Sequence, residues 1–177
     1  FWENNKGKIE LATIIPGFIV GPILNASGAP SEKIISEFLN NKLPGLPKLC
    51  FGIVDVRDVA LAHIRAMEAP NVDGHRFIVV AKSYWFSDMA NTLHKEFGPH
   101  GYKIPRSGVS RCLLKFLSIF DKKLRNVIPM INKEVKFDNS KSRNVLGMEF
   151  RDTDQGFVDM GWSLIEKGVV PKKQKKK

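Results

Sequence analysis

Asp55, Arg57 and Asp58 form the densest group in this sequence whose residue types could do acid–base chemistry: two carboxylates and a guanidinium just after an apolar run. Paired carboxylates serve that chemistry when their surroundings push their pKa values apart. The same residues suit a structural task, with Asp58 capping the following helix and Arg57 pairing with Asp55 to fix the turn, and this reading is preferred. His63 falls one turn into that helix on its apolar side. It has no second ligand or nucleophile nearby in sequence and reads as a satisfied core histidine. Cys50 and Cys112 stand among apolar neighbours and read as buried free thiols, which fits a reducing, cytoplasmic setting.

The elements that must carry these residues are legible from periodicity. Residues 9–15 form a β-prone run, and its continuous apolar end suits a strand covered on both faces. It leads into Pro16-Gly17-Phe18-Ile19-Val20-Gly21-Pro22, where backbone could pass beneath a bound molecule. Ser31 is expected to cap a helix with Ile34, Ile35, Phe38 and Leu39 on one face. A second strand is expected over residues 51–56, then a helix with Val59, Ala62, His63 and Ala66 inward, then a third strand over 76–81. Ser87 is expected to cap a helix carrying Met89, Ala90, Leu93 and Phe97, ended by Gly98-Pro99. This alternation argues for an α/β sheet.

After residue 103 the pattern changes. Residues 110–131 read as an amphipathic, basic helix and loop, and a short strand is expected over 134–137. A helix begins at Asp138-Asn139-Ser140, read as a capping turn, and ends at Gly147. A last helix capped by Asp152 ends at Gly168, with Gly156 and Gly161 inside it as unexplained departures, each costing about 1 kcal/mol against Ala.

The chain of 177 residues is 43% hydrophobic and 26% charged, a globular balance sufficient for one domain of ordinary size. No apolar run reaches the roughly eighteen residues of a membrane span. The net charge of +10 would suit nucleic acid, but half of it sits in Lys172, Lys173, Lys175, Lys176 and Lys177, a basic tail read as solvated. The body lacks an RNA-binding aromatic motif, zinc-ligand spacing or a recognition-helix pattern, so no nucleic-acid partner is expected. The first residues, Phe1-Trp2-Glu3, show neither an initiator Met nor a signal-peptide layout.

Four stretches, in this order and spacing, resemble the extended short-chain dehydrogenase/reductase family, in particular its dihydroflavonol reductase-like and cinnamoyl-CoA reductase-like branch. They are Pro16 to Pro22, then Phe51-Gly52-Ile53-Val54-Asp55-Val56-Arg57-Asp58-Val59-Ala60-Leu61-Ala62-His63, then Arg76-Phe77-Ile78-Val79, and finally Phe137-Asp138-Asn139-Ser140-Lys141-Ser142 with Leu146-Gly147. The resemblance implies an α/β fold: the C-terminal part of a Rossmann-type parallel sheet, with a smaller mixed α/β substrate lobe. Residues 1–103 would carry the sheet with interleaved lobe segments, 104–170 a mainly helical lobe, and 171–177 a disordered basic tail.

The resemblance also implies reduction of an aldehyde or ketone to an alcohol with NADP(H), in preference to NAD(H), and a small-molecule carbonyl substrate. Such a protein needs a Gly-rich phosphate loop and a catalytic Ser, Tyr and Lys, the Lys one helical turn after the Tyr and lowering its pKa. Neither tyrosine here has that spacing: Tyr84 is followed by Asp88 and Tyr102 by Arg106. These parts are expected in a missing N-terminal half upstream of Phe1, and no catalytic residue and no metal site is assigned within the chain. Carried over by position, Pro16, Ile19 and Ser31 are the expected cofactor contacts, and the loop 23–30 between them would border the nicotinamide. A truncated homologue acting as a non-catalytic binding module is the alternative.

Overall fold

An extended stretch broken at a single glycine organises the molecule. The structure, a computed structural model, describes residues 2–110, 114 and 128–173. Strands β1 (Thr13–Pro16) and β2 (Phe18–Val20) are separated only by Gly17. A Cβ on Gly17 would lie 2.2 Å from the carbonyl oxygen of Gly52, so a side chain there would push the two backbones apart. The same run therefore serves two pairings. β2 lies parallel to β3 (Cys50–Asp55), with Ile19 opposite Val54. β1 lies parallel to β4 (Arg76–Val79), with Pro16 opposite Val79. A further strand, β5 (Lys82–Trp85), runs antiparallel to β3 with Trp85 opposite Cys50.

Helices cover both faces. Along β3 successive side chains point to opposite sides, and Ile53 and Val54 accordingly enter different apolar clusters. The larger cluster joins α1 (Pro30–Leu39), α3 (Phe86–Phe97) and α5 (Thr153–Glu166) to one face. The smaller one joins α2 (Val56–Glu68) and α4 (Ser140–Leu146) to the other. This is the layering of a sheet whose strands are apolar on both sides. Phe38, Phe77, Phe97 and Phe157 are fully buried.

The two glycines of α5 have a packing reason. A Cβ on Gly156 would meet Val20 Cγ2 at 2.7 Å, and one on Gly161 would meet Phe97 Cζ at 2.5 Å. The helix gives up propensity so that it can lie directly on β2 and on α3. The turn after α4 also follows its sequence, because Gly147 takes the left-handed conformation (φ 59°) that ends a helix.

Several local expectations differ from the structure. β1 is shorter than residues 9–15 and starts at Thr13, with Ile9 and Leu11 exposed before it. Ser31 and Ser87 lie one residue inside α1 and α3 and cap neither, the capping positions being Ala29 and Trp85. Asp55, not Asp58, caps α2. His63 is exposed on α2, its Nδ1 2.8 Å from the Val59 carbonyl, because the inward stripe is Val59, Ala62 and Ala66. Residues 134–137 form no strand. Ser83 Oγ instead donates to the Val135 carbonyl, and the Phe137 ring packs over Gly52. Cys50 is buried and free. Cys112 and most of the expected helix over 110–131 lie outside the described residues.

Candidate functional site

The three expected cofactor contacts fall on consecutive parts of one path, where the chain leaves the sheet. Pro16 is exposed at the end of β1 and has no amide hydrogen to place in the ladder. Ile19 is half-buried at the centre of β2 and packs toward the α2 face. The chain then turns at Gly21 (φ 116°), where a Cβ would meet Val56 Cγ1 at 2.9 Å and the Asp55 carboxylate beyond it. It continues through the loop 23–30 to Ser31, half-buried in the first turn of α1.

That first turn is satisfied from within. The Glu32 carboxylate is buried and accepts from Ser27 Oγ (2.7 Å) and the Gly28 amide (2.9 Å). It is the third residue of α1 reaching back over the entry loop, as in a capping box. A phosphate at this helix start would face that carboxylate. Among the described residues, no helix begins on a Gly-rich phosphate loop.

The charged residues after β3 hold the fold together at this same end. Asp55 is fully buried and accepts from the Arg57 amide (2.8 Å), Arg57 Nε (2.8 Å) and Arg57 Nη2 (2.7 Å). Arg57 Nη2 also reaches Asp159 on α5 at 2.7 Å. Its pKa is raised, chiefly by the hydrogen bond to Asp55, so its charge is permanent. Asp58, equally buried, accepts from the Arg151 amide (2.8 Å) and pairs with its guanidinium. Each carboxylate is held by an arginine, and the two pairs clamp α2 to α5 and to the segment just before it. The expected Asp55–Arg57 pair is present, and Arg151 and Asp159 are partners that spacing did not reveal.

Two further polar groups serve packing. Asn139 Nδ2 donates to the Val80 carbonyl (2.6 Å) and Ser142 Oγ to the Ile78 carbonyl (2.6 Å), fastening α4 to the end of β4. Tyr84 Oη bonds Thr92 Oγ1 (2.8 Å) and donates to Asp154 Oδ1 (2.7 Å). Burial pushes its phenol well above the ordinary value, and Asp154 adds to the shift. A tyrosine that gives up its proton near neutrality needs the opposite shift. No group of three His, Cys, Asp or Glu among the described residues could hold a metal ion, and no described helix is long and apolar enough to cross a membrane.

Comparison with known proteins bears on the fold as a whole. No protein-family model matches the chain. A ketoreductase of Aspergillus niger is 33% identical over 174 residues, covering 94% of this chain and 46% of the relative. Cinnamoyl-CoA reductase 1 of Arabidopsis thaliana is 31% identical over 168 residues, covering 94% and 43%. The chain spans about half the length of these relatives. Among solved structures, Gre2 of Candida albicans in complex with NADPH is 27% identical with a TM-score of 0.67, covering 93% of this chain and 46% of that one. A nucleoside-diphosphate-sugar epimerase of Pseudomonas aeruginosa, 16% identical with a TM-score of 0.74, shares the fold over 96% of this chain and 52% of its own. The similarity to these reductases, which reaches only about half of their length, and the fold shared with the solved structures fit a C-terminal portion of an extended short-chain dehydrogenase/reductase.

Proposed function

We propose that this chain is the part of an NADP(H)-dependent carbonyl reductase that borders the nicotinamide and the substrate, and that it carries none of the acid–base groups. The observation that supports this most is the run Pro16 to Pro22, which leaves two parallel pairings and turns at Gly21 toward α1. In this reading the Pro16 backbone and the Ile19 amide contact the carboxamide side of the ring, and Ser31 contacts it from α1. The cofactor would supply hydride to the carbonyl carbon. This chain's residues would orient the ring through backbone and, through the stretches after residue 103, line the carbonyl-bearing molecule. The phosphate loop and the catalytic Ser, Tyr and Lys would come from sequence preceding Phe1, and the 177-residue chain alone would be inactive.

The reading is tested by expressing the open reading frame that continues upstream of Phe1 and following NADPH oxidation with aldehydes and ketones. Carbonyl-dependent oxidation, with the Ile19→Pro variant raising the KM for NADPH at least tenfold, supports it. An initiator Met directly before Phe1, or an extended polypeptide that binds no NADPH, would sink it.

A further inference from the structure

A cleft of about 400 Å³ opens at the far end of the β2–β3–β5 sheet, lined by Leu46, Pro47, Lys48, Trp85, Ser87 and Arg106 among others. Its walls are tied in place by backbone bonds. The Leu46 amide donates to the Ser107 carbonyl (2.8 Å), the Val109 amide to Leu46 (3.0 Å), the Phe86 amide to Leu49 (2.9 Å) and the Asn132 amide to Lys48 (2.8 Å). Trp85 is half-buried and offers ring surface, with Lys48 Nζ 5.6 Å from its centroid. Among the described residues, neither Lys48 nor Arg106 has a carboxylate partner. The clefts along α5 are lined instead by Glu96, Asp152, Asp154 and Asp159, which would repel an anion.

We propose that this cleft is a recognition subsite for a flat apolar ligand bearing a carboxylate, the ring lying against Trp85 and the anion held between Lys48 and Arg106. Arg106 supplies a planar pair of donors for the carboxylate and Lys48 a point charge, while Trp85, Leu46 and Pro47 exclude water from the ring. The volume is in the range of small-molecule sites. The position also suits a substrate. Trp85 is opposite Cys50 and Phe18 is opposite Ile53, so the cleft lies three β3 residues, about 10 Å, from the Pro16–Ile19 path. For its reaction, though not for its binding, the subsite rests on the reductase reading. It narrows the substrate class to carbonyl compounds with an acidic, apolar body.

Two measurements separate the site from the reaction. Equilibrium dialysis of 4-formylbenzoate and its methyl ester is run against the chain fused to a soluble carrier, with the carrier alone as blank. The acid is expected to bind at least tenfold more tightly than the ester. The K48Q/R106Q double variant, changed at two exposed positions, is expected to erase that difference while ester binding stays the same. Equal binding of acid and ester, no binding above the carrier, or an unchanged preference in the double variant overturns the subsite. With the upstream-extended polypeptide, the same double variant is expected to raise the KM for the acid at least tenfold with kcat unchanged. Absence of reduction of either compound would count against the reductase reading, and the dialysis result would still decide the subsite.

Discussion

The carboxylate of Asp55 and the guanidinium of Arg57 form a two-point pair, 2.8 and 2.7 Å, across the turn from β3 into α2. The same carboxylate caps α2 and the same guanidinium holds Asp159 on α5, so one pair joins the sheet to a helix on each face. It lies beneath Gly21, where the chain turns away from β2. Position at the strand end gives these charges the look of a catalytic cluster, and their pairing makes them structural.

Asp55→Ala removes a cap and leaves Arg57 without its buried partner. Cap loss costs about 1 kcal/mol and breaking a buried pair about 3–5 kcal/mol. The Arg57 side chain keeps 39% of its exposure, so water offsets part of this, and a total loss of about 2–3 kcal/mol is expected. Asp55→Asn keeps a capping oxygen and gives up only the charge facing the partly exposed Arg57, so it should cost about 1 kcal/mol. Urea unfolding of the carrier-fused chain ranks the two, and an Asp55→Ala midpoint equal to that of Asp55→Asn would contradict the double role.

Gly161→Ala should destabilise despite alanine's better helix propensity. The gain is about 1 kcal/mol. The new methyl would sit against Phe97, fully buried and unable to swing away, and overpacking costs about 1–3 kcal/mol. A net loss of up to about 2 kcal/mol is expected from the same unfolding measurement. A higher midpoint for Gly161→Ala would show that α5 does not lie as close to α3 as described.

Tyr84 gives the alkaline behaviour of the fold. Its phenol is raised above the ordinary value near 10 by burial and by Asp154, so the neutral form is favoured more in the folded chain than in the unfolded one. The stability tied to that preference is complete below pH 10 and is lost as pH rises past it, because only the unfolded chain can then release the proton. Absorbance titration should show Tyr84 still protonated at pH 11 while the chain stays folded. Asp154→Asn should bring its ionisation to lower pH. Reversible ionisation of Tyr84 near pH 10 without unfolding would contradict its burial.

Much of this was readable in advance where a residue's type has one use. The apolar run into Pro16 and Gly17, the β3–α2 junction, the inward face of α3 and the stop at Gly147 all follow from periodicity and punctuation. Helix starts were less legible because Ser31, Asp58 and Ser87 can each cap, and register alone decides which residue is first. β5 escaped notice because Lys82-Ser83-Tyr84-Trp85 follows β4 with neither a turn residue nor an apolar run. Its pairing with β3 is a tertiary fact. The Lys48–Trp85–Arg106 cleft joins three segments distant in sequence, and the partners Arg151 and Asp159 lie about a hundred residues from the aspartate and arginine they hold, so no local pattern reports them.

The edge of β1 bears on the central claim. Among the described residues β1 pairs only with β4, and beside it a cleft of about 410 Å³ is lined by Leu11, Ile14, Met67 and Val72, with Met67 86% exposed. An open apolar edge of this kind promotes association. The isolated chain is therefore expected to aggregate, and to lack the phosphate-binding half of a dinucleotide site. The most direct measurement is calorimetric titration of NADPH into the 177-residue chain and into the polypeptide extended upstream of Phe1. Micromolar binding by the extended polypeptide and none by the chain alone is the predicted result. A soluble monomeric chain that binds NADPH at micromolar concentration by itself would contradict it.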